Sequence, residues 1–254
     1  MPAISAVLIT LNEERRLGAA LESVGFCDEV LVVDSGSTDG TRAIAEAAGA
    51  RFIVSTPWPG FVAQKNLAAR AARHDWILSL DADERVTTAL RDEIQAVRNR
   101  GFACAGYRIP RLAHYLGRWI RATDWYPDPQ LRLFDRRRGA WQGGRVHESV
   151  RLDGPVGRLQ APLEHYPYVD IAEHLRTINR YTTLWAEQAA ADGRRVSTLA
   201  LVGSSGWAFL RNYILKRGFL LGRTGLIVSF LNAHYTFLKL AKLHERRIAL
   251  RDDG

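Results

Sequence analysis

The chain has 254 residues, with 35 Lys and Arg against 27 Asp and Glu for a formal net charge of +8, and only two cysteines. That length buries a sizeable core, while Cys27 and Cys104, in mostly apolar surroundings, exclude a disulfide framework and suit a reducing cytosol. No basic segment followed by an apolar one opens the chain, so no secretory signal is expected, and neither repeats nor a low-complexity linker interrupts it.

Ile4 to Thr10 is an apolar run that predicts a buried strand, and Asn12-Glu13-Glu14-Arg15 follows as a helix start with Asn12 as its cap. The grammar then repeats. Glu29 to Asp34 predicts a second strand, Ser35-Gly36-Ser37-Thr38-Asp39-Gly40 a turn, and Thr41 to Ala48 a helix stopped by Gly49. Arg51 to Ser55 predicts strand three, and Phe61 to Ala72 a helix behind the Trp58-Pro59-Gly60 loop. A fourth strand, Trp76-Ile77-Leu78, runs directly into Ser79-Leu80-Asp81-Ala82-Asp83-Glu84. In extended backbone Asp81 and Asp83 point to the same side, where their repulsion is costly unless a divalent cation sits between them. Oxygen ligands of this kind suit Mg²⁺ or Mn²⁺, which commonly also hold substrate phosphates. The competing expectation is a solvated cap for the helix predicted from Thr88 to Arg100.

Strands alternating with helices predict an α/β fold with a right-handed, mostly parallel sheet whose ligand crevice lies at the carboxyl ends of the strands. Thr10 to Glu13, Asp34 to Asp39 and Asp81 to Asp83 all fall on that edge, which argues for a site.

The rest of the chain differs in character. Residues 205–254 hold nine Lys and Arg against three acids, which is +6 of the total +8, so the preceding part is nearly neutral. Asp170-Ile171-Ala172-Glu173 resembles a capping box opening a helix to about Ala191, and Ser197 to Leu221 and Thr224 to Arg247 predict two more. The uncharged run from Thr224 to Leu238 falls short of the roughly 20 residues needed to span a bilayer, so an interfacial surface is expected. Trp207, Phe209, Tyr213, Phe219, Tyr235 and Phe237 would lie at headgroup level, with Lys216, Arg217, Lys239 and Lys242 on anionic lipid. The alternative is that these helices pack on the preceding domain or on a second subunit, giving a homo-oligomer. The expected division is 1–168 for the α/β domain and 169–254 for the basic helical extension.

Thr10-Leu11-Asn12-Glu13, Val33-Asp34-Ser35-Gly36-Ser37-Thr38-Asp39-Gly40-Thr41, Gln64-Lys65-Asn66 and Asp81-Ala82-Asp83, in this order, resemble the family 2 glycosyltransferases of the GT-A fold. Gln130 to Phe134, Gly143 to Ser149 with Val146-His147-Glu148, and the tail from Arg217 to Lys242 look most like the lipopolysaccharide inner-core β-1,4-glucosyltransferase branch. The resemblance implies a sugar-nucleotide donor, with Asp34 accepting from the imide of a uridine base and Thr10 and Glu13 contacting base and ribose. Asn12, Ser35 and Ala82 belong to the same nucleotide-sugar set. For Asp34 the competing role is turn formation, and Asp39 is expected to cap a helix instead. The ammonium of Lys65 would approach the diphosphate unless it is simply solvated. Asp81 would sit near the donor sugar as a second metal ligand beside Asp83, and Arg132 would hold pyrophosphate unless it is a strand-surface arginine.

An acceptor hydroxyl attacking the anomeric carbon must lose its proton to a nearby base. Asp124, Asp128 and Glu148 are the candidates, Glu148 first because paired glycines, Trp141 and His147 suggest a semi-enclosed pocket, and Asp128 second. Trp125 and Tyr126 would stack on acceptor sugar or form a packed lid. His147 is a candidate metal or phosphate neighbour. The resemblance implies inversion at the anomeric carbon, with a hexose, glucose from UDP-glucose, moved to a membrane glycolipid such as the lipopolysaccharide inner core. The enzyme would then be cytoplasmic and peripheral on the inner face of the cytoplasmic membrane. Three alternatives compete: a polyprenyl-phosphate or other cell-envelope glycosyltransferase of the family, an inactive membrane or partner adaptor, and a nucleic-acid binder. The last explains only the charge, since the basic residues lie beside long apolar stretches rather than in a groove with stacking aromatics, so no nucleic-acid partner is expected.

Overall fold

The computed structural model describes residues 1–143 and 148–252. They form two compact units, one of Met1–Leu112 with Asp128–His165, the other of Ala113–Pro127 with the chain from Tyr166 onward. The second unit therefore takes in a segment, 113–127, that a division at residue 168 leaves with the α/β part.

In the first unit, strands β1 (Ile4–Thr10), β2 (Glu29–Asp34), β3 (Arg51–Val54) and β4 (Trp76–Asp81) run parallel in the order β3-β2-β1-β4. Apolar side chains on both faces suit these inner positions. Ile4, Ala6 and Leu8 join one core with Leu78 and Leu80, while Val7 joins a second with Leu31, Val33 and Ile77, as the two-residue strand period dictates. Helices α1 (Leu17–Ser23), α2 (Thr41–Ala47) and α4 (Thr88–Asn99) contribute to the first core, and α3 (Phe61–Ala71) to the second. The sheet continues with β8 (Asp128–Asp135) antiparallel to β4, β6 (Gly106–Tyr115) antiparallel to β8, then β12 (Leu163–His165) and β5 (Glu84–Val86), which pair antiparallel with each other. β11 (Val156–Arg158) also pairs with β6, and β9 (Gly139–Gly143) with β10 (Glu148–Leu152) makes a separate ribbon.

Two local expectations change. Asn12 caps no helix, because α1 begins only at Leu17, and Asn12 itself adopts a left-handed conformation with φ 56°. The acids after β4 do not cap α4 either. Thr87 caps it, its hydroxyl accepting from Leu90 N–H at 3.1 Å, and the short strand β5 intervenes.

The second unit is helical apart from a short pairing of β7 (Arg118–Trp119) with the end of β6. α5 (Ile171–Ala191) starts as expected at Asp170, which accepts from Glu173 N–H at 2.7 Å, while Glu173 reaches back to Val169 N–H rather than to the cap residue. The helix expected over 197–221 is broken. α6 (Thr198–Leu210) runs into a π turn at Arg211–Leu215, Arg217 takes a left-handed conformation, a 3₁₀ turn covers Gly218–Leu221, and α7 (Gly222–Asp252) follows. The break follows from packing. Gly218 lies against the backbone of Gly225, where a Cβ on either has no room, and the buried Asn212 bonds Asp124 and Asn232. No helix among the described residues is long and apolar enough to cross a membrane.

Candidate active site

The carboxyl ends of β1, β2 and β4 stand in register, Thr10 beside Asp34 and Ile9 beside Asp81. At the first of these the Asp34 carboxylate is fully engaged. One oxygen accepts from Gly36 and Ser37 N–H at 2.8 and 2.7 Å, the other from the hydroxyls of Thr10 and Ser37 at 2.8 and 2.5 Å. Four donors fill the lone-pair sites of a carboxylate, so Asp34 here builds the turn, and a base contact would require exchanging one of these bonds. Asn12 braces the same turn, donating from its backbone to the Ser37 hydroxyl and accepting from Thr38 N–H at 2.9 Å. Glu13 donates from its backbone to Thr41 Oγ1, and Ser35 accepts from the buried Gln64 amide at 3.1 Å. Asp39 holds Thr41 at the start of α2 through both its N–H and its hydroxyl, the capping role expected for it.

At the second end, extended backbone stops at Asp81 and Ala82-Asp83 form a turn. The premise that Asp81 and Asp83 share one cation-binding side therefore fails, and each has its own partners. Asp81 lies 3.1 Å from the Lys65 ammonium and 2.5 Å from the Arg132 guanidinium. Burial favours the neutral acid, but Arg132 first and Lys65 next hold the Asp81 carboxyl well below the usual range. With both oxygens on cations, Asp81 is a poor metal ligand.

Arg132 is not a surface arginine. It is 3% exposed and meets both Asp81 and Glu84 at 2.5 Å. Burial opposes its charge, and those two carboxylates more than offset this, so its pKa rises above the ordinary value. Its visible bonds go to carboxylates, which makes it the counter-ion of the site rather than a free diphosphate clamp. Glu84, with no exposed surface, is the hub. It accepts from Arg132, from Arg111 at 3.2 Å and from Asp81 N–H at 3.0 Å. Arg111 in turn grips Asp128 at 2.7 and 2.8 Å, and Gln130 takes the other Asp128 oxygen at 2.5 Å.

Lys65 is 5% exposed, which excludes a solvated helical lysine. Its ammonium bridges Asp81 and Glu148, at 3.1 and 3.2 Å, and lies 4.5 Å from the Trp141 ring centre. The structure thus brings Glu148 of β10 to Asp81 of β4 through a lysine of α3. Asn66, next to Lys65, fixes the ribbon in place by pairing its amide with both N–H and C=O of Trp141, at 3.0 and 2.9 Å. His147 lies outside the described residues. Asp124 belongs to the helical unit, bound by Arg211 and Asn212, and Trp125 packs there against Tyr115, Tyr168 and His174.

Sequence reasoning missed His165. It ends β12, opposite Glu84 of β5, and its Nε2 is 3.3 Å from Asp83 Oδ2. The other Asp83 oxygen is buried without a hydrogen-bond partner among the described residues. A buried orphan carboxylate oxygen beside an imidazole fits a divalent cation that completes its shell with phosphate and water. Among the described residues no group of three or more such side chains could hold a metal alone. Only the pairing of strands some 80 residues apart makes this contact, so no local pattern announces it. Arg111 and Glu84 were legible only as charges.

The glycosyl transferase family 2 model matches residues 5–150. The chain is 33% identical over 250 residues to the lipopolysaccharide core biosynthesis glycosyltransferase LpsC of Rhizobium meliloti, covering 96% of this chain and 92% of that protein. It is also 33% identical over 265 residues to an uncharacterized glycosyltransferase of Rickettsia typhi, covering 99% and 90%. Among solved structures it is similar to glucosyl-3-phosphoglycerate synthase of Mycobacterium tuberculosis in complex with Mn²⁺, UDP and glucosyl-3-phosphoglycerate. The identity there is 26% and the TM-score 0.37, over 46% of this chain and less than half, 45%, of that one. The chain belongs to glycosyl transferase family 2 and is a glycosyltransferase of the GT-A fold.

Proposed function

We propose that this site moves a hexose, glucose from UDP-glucose, onto a membrane glycolipid of the lipopolysaccharide inner-core type, with inversion at the anomeric carbon. The observation that carries the reading is the meeting of Glu148, Lys65 and Asp81 at the carboxyl end of the parallel strands. The likeness to LpsC over nearly the whole chain supports the acceptor class.

The acceptor hydroxyl gives its proton to the Glu148 carboxylate as its oxygen bonds the anomeric carbon, and the bond from that carbon to the diphosphate oxygen breaks with UDP leaving. Lys65 positions Glu148 and adds a fixed positive charge beside the departing diphosphate. Asp83 and His165 would hold Mg²⁺ or Mn²⁺, which when bound supplies Lewis-acid neutralisation of the leaving group. Asp81, fixed by Arg132, accepts hydrogen bonds from the donor sugar, and the Asp34 turn shapes the nucleoside end with Thr10, Asn12, Glu13 and Ser35. Asp128, held by Arg111 and Gln130, shapes the acceptor side and is the second choice as base.

The test is transfer from UDP-glucose to a delipidated inner-core acceptor with added Mn²⁺. Glu148→Gln should lower turnover roughly a hundredfold while leaving donor binding by calorimetry nearly unchanged. If Asp128→Asn behaves that way and Glu148→Gln does not, the two roles are exchanged. Absence of transfer with every UDP-hexose, alongside transfer from another nucleotide sugar, would overturn the donor assignment.

A further inference from the structure

The second unit carries charge and apolar surface in an unusual combination. Residues 193–244 contain eight Lys or Arg and no Asp or Glu. Within this stretch Trp207, Leu210, Ile214, Leu215, Phe219 and Leu220 are each between 47% and 64% exposed, and they follow one another along α6, the π turn and the 3₁₀ turn. Arg211, Lys216 and Arg217 are exposed among them. α6 fully buries only Ala208, and Leu199, Val202, Trp207 and Leu210 are exposed along it. A patch of this kind on a monomer marks an interaction surface.

The same structure removes part of the surface expected from sequence. Lys242 is used internally, its ammonium donating to Asn179 O and Oδ1 and to the hydroxyls of Thr182 and Thr183 at 2.7 to 2.9 Å. Lys239 lies over the Trp185 and Tyr235 rings, and burial raises the Tyr235 hydroxyl pKa. These residues join α7 to α5, where Lys242 is already partnered.

We propose that the elbow from Trp207 to Leu220 is a monotopic membrane-docking surface that inserts its apolar side chains at the level of the headgroups of an anionic bilayer. The proposal deepens the glycolipid reading above and does not depend on the identity of the sugar. A second copy of the chain is a poor occupant, because a two-fold interface would set the exposed Lys216 and Arg217 against their own copies, while Asp124 at the elbow is already paired with Arg211. Nucleic acid would meet the exposed aliphatic side chains of Leu210, Ile214, Leu215 and Leu220 between the aromatic ones, and these offer neither stacking nor hydrogen bonds to bases. Anionic lipid satisfies both features, since acyl chains take the aliphatic side chains while Lys216 and Arg217 reach phosphate from the same segment, Arg211 being paired with Asp124. At 13 residues α6 is about 20 Å long and cannot span the bilayer.

The experiment is co-sedimentation of the full chain with vesicles of phosphatidylcholine alone or mixed with phosphatidylglycerol. The wild type should bind the anionic vesicles, less so at high salt, and the neutral ones far more weakly. Lys216→Gln with Arg217→Gln should weaken binding about fivefold per charge removed. Leu215→Gln with Leu220→Gln should weaken it at least as much while leaving the thermal unfolding midpoint and hydrolysis of soluble UDP-glucose unchanged. Equal binding to both vesicle types, or unaltered binding by both double variants, overturns the proposal. So does a concentration-dependent dimer, seen by ultracentrifugation, that the leucine variants dissociate. If UDP-glucose hydrolysis is absent from the wild type while vesicle binding follows the expected pattern, the donor assignment fails and the docking surface stands.

Discussion

At the scale of single residues, the site is organised by which carboxylate faces which cation. Asp81, Glu84, Asp128 and Glu148 are each held by arginine or lysine, whereas Asp83 faces an imidazole and keeps one oxygen without a partner among the described residues. That difference singles out Asp83 for a metal more sharply than its place in the motif does. His165→Ala should raise the Mn²⁺ concentration needed for half-maximal UDP-glucose hydrolysis about tenfold or more, with excess metal restoring part of the rate. An unchanged metal titration in this variant would show that His165 takes no part in holding the ion. The aspartates themselves were legible in the sequence because acids after an apolar run are conspicuous. His165 and the burial of Lys65 were not, because they depend on strands and a helix meeting across long separations.

Elements explain why these residues stay where they are. The turn between β4 and β5 is locked by Glu84, whose removal as a charge leaves Arg132 and Arg111 short of a counter-ion in a dry setting. Breaking one partner of such a buried set costs about 3 kcal/mol or more, so Glu84→Gln should lower stability by that order in chemical denaturation. A loss below about 1 kcal/mol would mean that water or a shifted Asp128 replaces the missing charge. In the helical unit the corresponding point is the approach of Gly225 to Gly218. Gly225→Ala should cost about 1 to 3 kcal/mol through overpacking, read from the same denaturation curves, and a neutral result would show that the break before α7 shifts freely. The alternation of strands and helices, the caps at Asp170 and the stop at Gly49 were readable from local pattern. The break at Lys216-Arg217 was not, because apolar residues there favour a continuous helix and only the buried Asn212 and the glycine contact oppose it.

For the whole molecule, the ionisable groups combine into a definite response to acid. His174 is buried against Tyr168 and bonded to the Tyr115 hydroxyl, and burial pulls its pKa from 6.5 down to about 4. Between those values the unfolded chain binds a proton that the folded one does not, so stability falls as pH drops from about 6.5 to about 4, by about 3 kcal/mol in total. Asp81, Asp28 and Asp135 are also shifted downward, but from the lower starting value of a carboxyl. Burial raises Asp28, but Ile4 N–H and Arg98 outweigh it, and Arg137 is the main partner lowering Asp135. Their contribution is complete above the ordinary aspartate range and is lost only as pH falls through the lowered values. Stability should therefore decline in two stages on acidification, and His174→Gln should abolish the first while sparing the second. A single decline beginning below pH 4 in the wild type would contradict the assignment to His174. The division of charge between a nearly neutral first part and a basic tail was visible in composition alone, and so was the α/β alternation. What composition did not contain was the fate of each charge, since Lys216 and Lys242 look alike in sequence yet one is exposed and the other serves four oxygens.

The Asn66 amide has one more consequence. Among the described residues the β9–β10 ribbon has two strands, and an open strand edge is a template on which any extended chain can add itself. By offering one donor and one acceptor to Trp141, Asn66 imitates a single residue of a third strand and then stops, because a helix carries it away. One side chain thus closes the template at that point, and it does so one position from the lysine that binds Asp81 and Glu148. Aspartate in its place would keep the acceptor and lose the donor, leaving the Trp141 carbonyl open to a neighbouring chain.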